Sequence, residues 1–270
     1  ASFRRYQRFL MRGRARSVEL KSIDELSLMR EAGLVVATTL ECVAQAVAPA
    51  VTTNELNEIA RDCIRNHGAS PSFLGYYGFP AVICTSVNDE VVHGIPGARA
   101  LAAGDVISID CGAIVEGWHG DAAITVLVEP VAERIRVLSQ VTESAMWSGL
   151  AQARNGNRIS DIGHAVEGVA RQAGSYGIVR DYVGHGIGSA MHMFPPVPNY
   201  GKPGSGPKIQ PGMALAIEPM LTMGSESVIV REDQWTVATQ DGSVAAHWEH
   251  TVAVTDDGPW VLTSIDGQRL

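Results

Sequence analysis

Two carboxylates on neighbouring predicted strands are the first residues whose spacing suggests chemistry. Asp110 ends one apolar strand pattern and Asp121 begins the next, with a short glycine-containing segment between them. This arrangement predicts a β-hairpin. A turn centred on Val115-Glu116 would place Asp110 opposite Asp121, where two like charges repel each other. A divalent cation between them would remove the repulsion, because carboxylate oxygens are hard ligands.

The same register divides the predicted hairpin into two faces. Ser108 would lie opposite Ala123, and Val106 opposite Thr125, on the face that carries the aspartates. The other face is apolar and consists of Ile107, Ile109, Cys111, Ala122, Ile124 and Val126. Since successive side chains of a strand alternate between faces, the acidic face remains available for a ligand.

This pattern recurs in the second half of the chain. Residues 103–110 resemble residues 211–218 position by position, and residues 121–126 resemble residues 249–254. The chain therefore resembles two related halves, each with two acids at equivalent strand positions. Four such acids are poorly explained as solvated charges, which favours a metal site.

Each pair of acid-bearing strands is preceded by two predicted helices. Two of them begin at capping boxes, Ser22 with Glu25 and Thr52 with Glu55, and Gly68 is placed to end the second helix. The other two span about 132–153 and 158–174, the latter capped by Ser160. A short strand is predicted over 81–87, after an aromatic-rich loop at 69–80.

The predicted fold class is α+β. One catalytic domain spans 21–270, with halves of about 21–130 and 131–265, and helices pack on one face of a curved antiparallel sheet. The metal site lies on the opposite face. Residues 1–20 form a basic N-terminal arm, which is either a solvated tail or a contact for an acidic partner.

Composition restricts the partners and the compartment. The net charge of −8 does not indicate a nucleic-acid-coating surface, and no apolar run is long enough for a membrane span. Four scattered cysteines without a CxxC pair favour reduced thiols in a cytoplasmic protein over a disulfide framework or zinc finger. They are Cys42, Cys63, Cys84 and Cys111. We expect a monomer.

Three histidines lie in loops rich in glycine or proline. His185 is flanked by glycines, His192 follows seven residues later, and His93 precedes Gly94. Taken singly, each is more often a structural residue than a ligand. Together with the four strand acids they indicate one chemical site.

The complete set of motifs resembles the methionine aminopeptidases. The motifs are His93-Gly94-Ile95-Pro96, the Asp110/Asp121 spacing, Gly184-His185-Gly186-Ile187-Gly188, Met191-His192, Ile217-Glu218-Pro219 and Glu249-His250-Thr251. The resemblance extends from about residue 22 to residue 263. Only 26 positions separate His192 from Glu218, so it is to the short bacterial type I form, without the helical insertion of type II. It implies a duplicated "pita-bread" fold, in agreement with the internal repeat.

The resemblance also implies two divalent metal ions. Asp110 would chelate one ion, His185 and Glu218 the other, and Asp121 and Glu249 would bridge the pair. Four carboxylates and one imidazole favour Co(II), Mn(II) or Fe(II), with Zn(II) also open.

Three of these residues would act in catalysis. Glu218 would shuttle protons, His192 would hydrogen-bond the substrate carbonyl oxygen, and His93 would contact the scissile amide nitrogen. A hydroxide that bridges the ions would attack the peptide bond.

The pocket for the methionine side chain would be apolar and rich in aromatic and sulfur groups. It would be lined by Phe73, Tyr76, Phe79, Cys84, Met191 and Trp235, with His93 and His192 beside the scissile bond. Sulfur against aromatic rings is a favourable contact for a thioether. Phe73 stands where bacterial relatives often have Cys, and Met191 where an aromatic residue is common, which bears on fine specificity.

The predicted function is removal of the initiator methionine from nascent polypeptides with a small second residue. One alternative is a proline-specific peptidase, prolidase or aminopeptidase P, on the same scaffold; those enzymes carry an extra N-terminal domain. Another is a metal-free pita-bread protein that binds ribosomes or RNA. We expect no membrane association and no sequence-specific nucleic-acid binding, while the basic arm could contact the ribosome.

Overall fold

The computed structural model describes residues 17–270. Of the predicted basic arm at 1–20, residues 1–16 therefore lie outside the described part. Of residues 17–20, Val18 packs on the core, and the Glu19 carboxylate accepts a hydrogen bond from the Ser189 amide at 3.1 Å. Lys21 continues the contact, because its amide donates to the Gly212 carbonyl at 2.8 Å.

The chain alternates pairs of helices with groups of short strands. The helices are α1 (Ile23–Ala46), α2 (Thr53–Asn66), α3 (Glu133–Leu150) and α4 (Ile159–Ala173), and a 3₁₀ turn spans Tyr76–Gly78. The first-half strands are β1 (Ser70–Pro71), β2 (Ile83–Val87), β3 (Glu90–Val92), β4 (Val106–Val115) and β5 (Trp118–Leu127). The later strands are β6 (Gly177–Ile178), β7 (Gly184–Gly186), β8 (Met193–Val197), β9 (Ala214–Ile217), β10 (Met220–Thr222), β11 (Val228–Val230), β12 (Val237–Thr239), β13 (Ala245–His247), β14 (His250–Thr255) and β15 (Gly258–Val261).

Local sequence accounts for the starts of α1 and α2. The Ser22 hydroxyl accepts from the Glu25 amide at 3.2 Å, and the Glu25 carboxylate accepts from the Ser22 amide at 2.7 Å. Thr52 and Glu55 form the same reciprocal box. After α2, Gly68 has φ 70°, the left-handed conformation in which glycine commonly ends a helix.

The predicted cap of α4 is wrong. Arg158 occupies the cap position, and its amide donates to the Asp161 carboxylate at 2.7 Å. Ser160 lies inside the helix, where its hydroxyl accepts from the Ser205 amide. A carboxylate three residues into the helix thus satisfies an amide at the helix start, and no hydroxyl cap is needed.

The register of the β4–β5 hairpin also differs from the prediction. Asp110 lies opposite Ala123, and Asp121 lies opposite Gly112, so the two aspartates are diagonal neighbours. The predicted pairs of Ser108 with Ala123 and of Val106 with Thr125 are likewise wrong. Ser108 pairs with Thr125 and Val106 with Leu127.

The position of the turn explains this shift. Its two central residues are Glu116 and Gly117, with φ 48° and 84°, one position later than predicted. Two positive φ angles are the signature of the tight hairpin turn whose twist matches that of the strands. The register moves by two residues, an even number, so every side chain stays on its predicted face.

The strands described within residues 17–270 form four antiparallel sheets. The first has the order β1-β4-β2 with β5 also paired to β4, and the others are β13-β10-β6, β11-β12-β3 and β15-β14-β9-β7-β8. Helices cover the apolar faces in both halves. In the first half the core contains Val36, Leu40, Leu56, Ile64, Ile107, Ile109, Cys111 and Ala122, and in the second Met146, Leu150, Ile162, Leu215, Ile217, Val252 and Val254. The acid-bearing face of the β4–β5 hairpin is therefore turned away from α1 and α2.

The two halves meet at the acids. Ala123 and Glu249 exchange backbone hydrogen bonds of 3.2 and 2.9 Å, which joins β5 to the start of β14. Beside this pair, the Thr251 hydroxyl donates to the Asp121 carbonyl at 2.7 Å. This junction brings Asp121 of the first half close to Glu249 of the second half.

None of the helices described within residues 17–270 is long and apolar enough to cross a membrane.

All four cysteines are free thiols.

Candidate metal centre and substrate pocket

All the residues assigned to the site by the sequence line a single cavity of about 450 Å³. They are Phe73, Tyr76, Phe79, Cys84, His93, Asp110, Asp121, His185, Met191, His192, Glu218, Trp235 and Glu249. Most of its carboxylates lie together around His185, and its apolar members form one buried cluster. Phe73 and Glu249, which are 176 positions apart in sequence, thus line the same cavity.

One end of the cavity collects carboxylates around an imidazole. His185 Nε2 lies 3.9 Å from Asp121 Oδ2 and 3.5 Å from Glu218 Oε1. Ligand atoms of Asp121, His185 and Glu249 all lie within 4.8 Å of one another. Each comes from a different strand or strand end, so the sheets rather than any local motif create the cluster.

The orientation of His185 suits a metal ligand. Its Nδ1 is 2.9 Å from the Gly186 carbonyl oxygen. A carbonyl can only accept, so Nδ1 carries the proton and Nε2 presents a lone pair to the carboxylates. Fixing the far nitrogen in this way is the usual means of orienting a metal-binding histidine.

Ionising these buried carboxylates together, without a cation, is energetically unfavourable. Burial raises the pKa of Asp110 to about 7. Burial, with the charges of Glu249 and Asp110, raises the pKa of Asp121. Burial and the neighbouring carboxylates likewise raise the pKa values of Glu218 and Glu249. These groups tend to hold protons until a positive charge replaces them.

Several buried oxygens of the cluster lack a hydrogen-bond partner among the described residues. They are Asp110 Oδ1, Asp121 Oδ1 and Glu249 Oε1. Buried polar atoms are almost always satisfied, so an unsatisfied group of carboxylate oxygens beside an imidazole lone pair calls for a cation. The donor set suits Mn(II), Fe(II), Co(II) or Zn(II).

Two further residues at this centre, His247 and Asn199, were not predicted from the sequence. His247 Nε2 lies 3.8 Å from Glu218 Oε2 and 3.8 Å from Glu249 Oε2. Asn199 donates from its amide nitrogen to the Glu218 carbonyl at 3.0 Å. The signal for His247 was its place two residues before Glu249, which puts both side chains on one face of an extended chain.

His192 lies between the metal cluster and the aromatic end of the cavity. Its ring centroid is 4.2 Å from that of His185, and its Nδ1 is 2.9 Å from the Tyr76 hydroxyl. The Tyr76 ring stacks on it at 5.4 Å. Burial, with the neighbouring histidines, lowers the pKa of His192, so the ring is neutral near pH 7.

His93 is held in a strained backbone conformation. Its φ is 60°, which is unusual for a residue with a side chain and is often found at functional sites. The ring meets Tyr182 and Trp235 edge-on, with centroids 5.6 and 6.4 Å away. Burial lowers its pKa to about 4, which leaves a neutral imidazole at the cavity wall.

Aromatic rings and sulfur atoms form the apolar end. Phe73 and Phe79 meet edge to face at 6.5 Å, and Phe79 meets Trp235 at 5.1 Å. Cys84 and Met191 are buried in the same cluster. Burial raises the pKa of the Cys84 thiol, so this sulfur is an uncharged lining atom.

Known proteins with similar sequences agree on one family. The model of metallopeptidase family M24 matches residues 27–256. Methionine aminopeptidase 1 of Mycobacterium tuberculosis is 53% identical, over 94% of this chain and 97% of that protein. Methionine aminopeptidase 1 of Bacillus subtilis is 47% identical, over 91% of this chain and 98% of that protein.

Solved structures agree with the sequence relatives. Methionine aminopeptidase from Rickettsia prowazekii superposes with a TM-score of 0.89 at 41% identity, covering 92% of this chain and 100% of that one. Prolidase from Pyrococcus furiosus has a TM-score of 0.72 at 18% identity, and the match covers 91% of this chain but 65% of the prolidase. The prolidase shares the fold only.

Proposed function

The chain belongs to metallopeptidase family M24, among its methionine aminopeptidases, and we propose that it removes the initiator methionine from nascent polypeptides with a small second residue. The observation that carries this proposal is one cavity with a buried carboxylate–imidazole cluster at one end and an aromatic, sulfur-lined cup at the other. The cluster suits hydrolysis of an amide bond, and the cup suits a thioether side chain.

Five side chains would hold the metal ions: Asp110, Asp121, His185, Glu218 and Glu249. We assign Asp110 to one ion, His185 and Glu218 to a second, and Asp121 and Glu249 to both. When bound, divalent ions would polarise the scissile carbonyl group and lower the pKa of water.

The protein's own groups would handle the protons and the developing charge. Glu218, with its pKa raised by burial, can hold a proton and return it to the leaving amine. We assign the Tyr76 hydroxyl as donor to Nδ1 of His192, so the neutral ring carries its proton on Nε2, the atom that would donate to the substrate carbonyl oxygen as charge builds there. His93 contacts the scissile amide nitrogen.

Substrate recognition follows from the two ends of the cavity. The cup binds methionine through contacts between sulfur and the ring edges of Phe73, Phe79 and Trp235. The free α-amine of the substrate lies at the acidic end. An internal peptide bond has no free amine beside it and therefore cannot make this contact. Crowding beside the metal cluster limits the second residue to a small one such as Ala, Gly or Ser.

The proposed substrate, a nascent polypeptide, suggests where the protein acts and what it contacts. We place the protein in the cytoplasm, acting on nascent N-termini as a monomer, with the basic segment before residue 17 as a contact for the ribosome. The named relatives support the substrate class, and the ribosome contact rests on the charge of that segment alone.

A peptide assay tests the function. Metal-free protein supplied with Co(II) or Mn(II) should release free methionine from Met-Ala-Ser, with no release from N-acetyl-Met-Ala-Ser, which lacks the amine. Ala-Pro-Ser tests the proline-specific alternative. Hydrolysis of Ala-Pro-Ser but not Met-Ala-Ser would overturn the proposal, as would equal cleavage of the acetylated peptide.

A further inference from the structure

We propose that His247 is an additional protein ligand of the metal centre, binding through Nε2 the ion held by Glu218 and Glu249. The inference rests on the proposed metal dependence and adds a sixth side chain to the five that carry that function. His247 has no part in the motifs that suggested the site, and only the folded chain brings it there.

The first support is distance. His247 Nε2 is 3.8 Å from one oxygen of Glu218 and 3.8 Å from one oxygen of Glu249. The three ligand atoms all lie within 4.8 Å of one another. Two ligands at about 2.1 Å from one ion are about 3.0–3.4 Å apart in octahedral or tetrahedral geometry. Both histidine–carboxylate distances, now 3.8 Å, would need to contract by about 0.4–0.8 Å around a cation.

The second support is the state of the nitrogen. His247 is 1% exposed, and its Nε2 has no hydrogen-bond partner among the described residues. At 3.8 Å the two carboxylates are too far away to be hydrogen bonded. A buried nitrogen that no protein group satisfies is costly, and a metal ion at this point would use its lone pair.

The backbone holds the residue in position from the neighbouring hairpin. The His247 amide donates to the Thr125 hydroxyl at 3.0 Å, and the same hydroxyl donates to the His247 carbonyl at 2.7 Å. Ser108 Oγ lies 3.0 Å from Thr125 Oγ1 and completes a buried network. Both side chains lie on the face of the hairpin that carries Asp110. The backbone of His247 is thus fixed relative to the acids.

This arrangement places Glu218 between two imidazoles. Its Oε1 faces His185 at 3.5 Å, and its Oε2 faces His247 at 3.8 Å. A second nitrogen ligand shifts the preference of the centre towards Co(II), Fe(II) or Zn(II) and away from Mn(II), which favours oxygen donors. His247 would therefore help to determine which metal the protein selects.

The decisive experiment counts imidazoles on the metal. X-ray absorption spectra of the wild-type protein with one equivalent of Co(II) should show two imidazole ligands, His185 and His247. The spectra of His247→Gln and His247→Ala should show one imidazole ligand. Titration calorimetry should show Co(II) binding weakened at least about 10-fold in both variants, since even residues that only support a ligand are worth 10–100-fold. Mn(II) binding should weaken less.

Controls separate this inference from the proposed function. His164→Gln removes an exposed histidine from α4 and should leave the Co(II) affinity and spectrum unchanged. Thermal unfolding of the metal-free variants checks that they fold. One imidazole in the wild-type spectrum, or a Co(II) affinity within twofold in both His247 variants, would overturn the role of His247 alone. If the wild type bound no Co(II), the proposed function would fail as well.

Discussion

Glu218 is the side chain on which most of the chemistry converges. Its carboxylate lies near the Nε2 atoms of two histidines, its carbonyl is held by Asn199, and burial raises its pKa. It is both a proposed ligand and the group best placed to move a proton. Substituting it therefore tests both roles at once.

We expect Glu218→Gln to lower kcat for Met-Ala-Ser by about 10²–10⁴-fold at saturating metal, because the amide cannot carry the proton. The residue volume is nearly unchanged, so the circular dichroism spectrum should remain that of the wild type. Turnover within threefold of wild type, with the metal confirmed bound, would rule out the proton-transfer role.

In the proposed function the Tyr76 hydroxyl acts by orienting His192. Tyr76→Phe keeps the ring that stacks on His192 but removes the hydroxyl 2.9 Å from Nδ1. Without it, the neutral imidazole is free to place its proton on the wrong nitrogen, so kcat should fall about 10-fold while KM changes little. Steady-state kinetics over a range of peptide concentrations separates the two constants.

A tyrosine outside the cavity supplies the matched control. Tyr176 packs with Leu138 and Ala170 and does not line the cavity, so Tyr176→Phe should leave kcat unchanged. Equal effects of the two substitutions, or a Tyr76→Phe effect on KM alone, would mean that the hydroxyl does not orient His192.

Among the elements, the β4–β5 hairpin positions both aspartates, and its tight turn sets the register. Gly117 has φ 84°, and a Cβ added there would have no neighbour within 4 Å, so Gly117→Ala is opposed by backbone strain alone. We expect it to lower the free energy of unfolding by about 1–2 kcal/mol, measured by urea denaturation.

Gly168 gives a control of opposite sign. It lies within α4, has ordinary φ, and also has open space around it. Gly168→Ala should raise the free energy of unfolding by about 0.5–1 kcal/mol, because alanine loses less entropy in a helix. Opposite signs for the two substitutions would support the turn assignment, whereas an undiminished stability of Gly117→Ala would contradict it.

The hairpin also shows what a sequence can and cannot predict. The alternation of side chains along each strand correctly predicted which face carries Asp110 and Asp121. An even shift of the register leaves every side chain on the same face, so the error in the register did not change this result. The register itself depended on whether Glu116 would accept a positive φ, which strand propensities do not indicate. The result is a diagonal rather than a direct pair of aspartates.

Contacts between distant segments were the least predictable feature. The ordered motifs identified the residues that line the cavity, because most motifs carry glycine or proline signals and Glu249 occupies a strand position repeated from the first half. His247 carries none, and its position depends on hydrogen bonds to Thr125, 122 positions earlier. The division of the strands into four sheets likewise depends on breaks that no local pattern marks.

At the scale of the molecule, the two parts of the chain that the sequence predicts as related halves meet at the carboxylate cluster. The predicted α+β pita-bread fold is confirmed by the M24 match and by the superposition on methionine aminopeptidase from Rickettsia prowazekii. The cross-half pair of Ala123 and Glu249 lies at this junction. A cation bound there would tie the halves together.

This junction predicts a dependence of stability on pH. Burial raises the pKa of Asp110 to about 7, above the value of about 3.9 expected in the unfolded chain. At this carboxyl group the folded metal-free protein therefore binds more protons than the unfolded chain between about pH 4 and pH 7, whereas buried histidines such as His93, with lowered pKa values, contribute in the opposite direction. The contribution of Asp110 is isolated by comparison with Asp110→Asn: the free energy of unfolding of the wild type relative to that variant should fall as the pH rises through that window.

Metal binding should show the opposite trend, because the ligands must be ionised. We expect the apparent affinity for Mn(II) to weaken about 10-fold between pH 7 and pH 6, and the metal-induced rise in Tm to be larger at about pH 8 than at about pH 5.5. Titration calorimetry measures the affinity, and differential scanning calorimetry with and without Mn(II) measures the rise in Tm. Asp110→Asn should flatten the trend, and a pH-independent rise in Tm would contradict it.

The central claim is that five side chains from both halves hold cations at the end of a methionine-binding cup. Anomalous diffraction from crystals grown with Mn(II) and a methionine-like ligand tests it most directly. We predict anomalous peaks within bonding distance of Asp110, Asp121, His185, Glu218 and Glu249, with the ligand thioether among Phe73, Phe79 and Trp235. Metal peaks elsewhere, or an empty carboxylate cluster beside a bound ligand, would contradict the account.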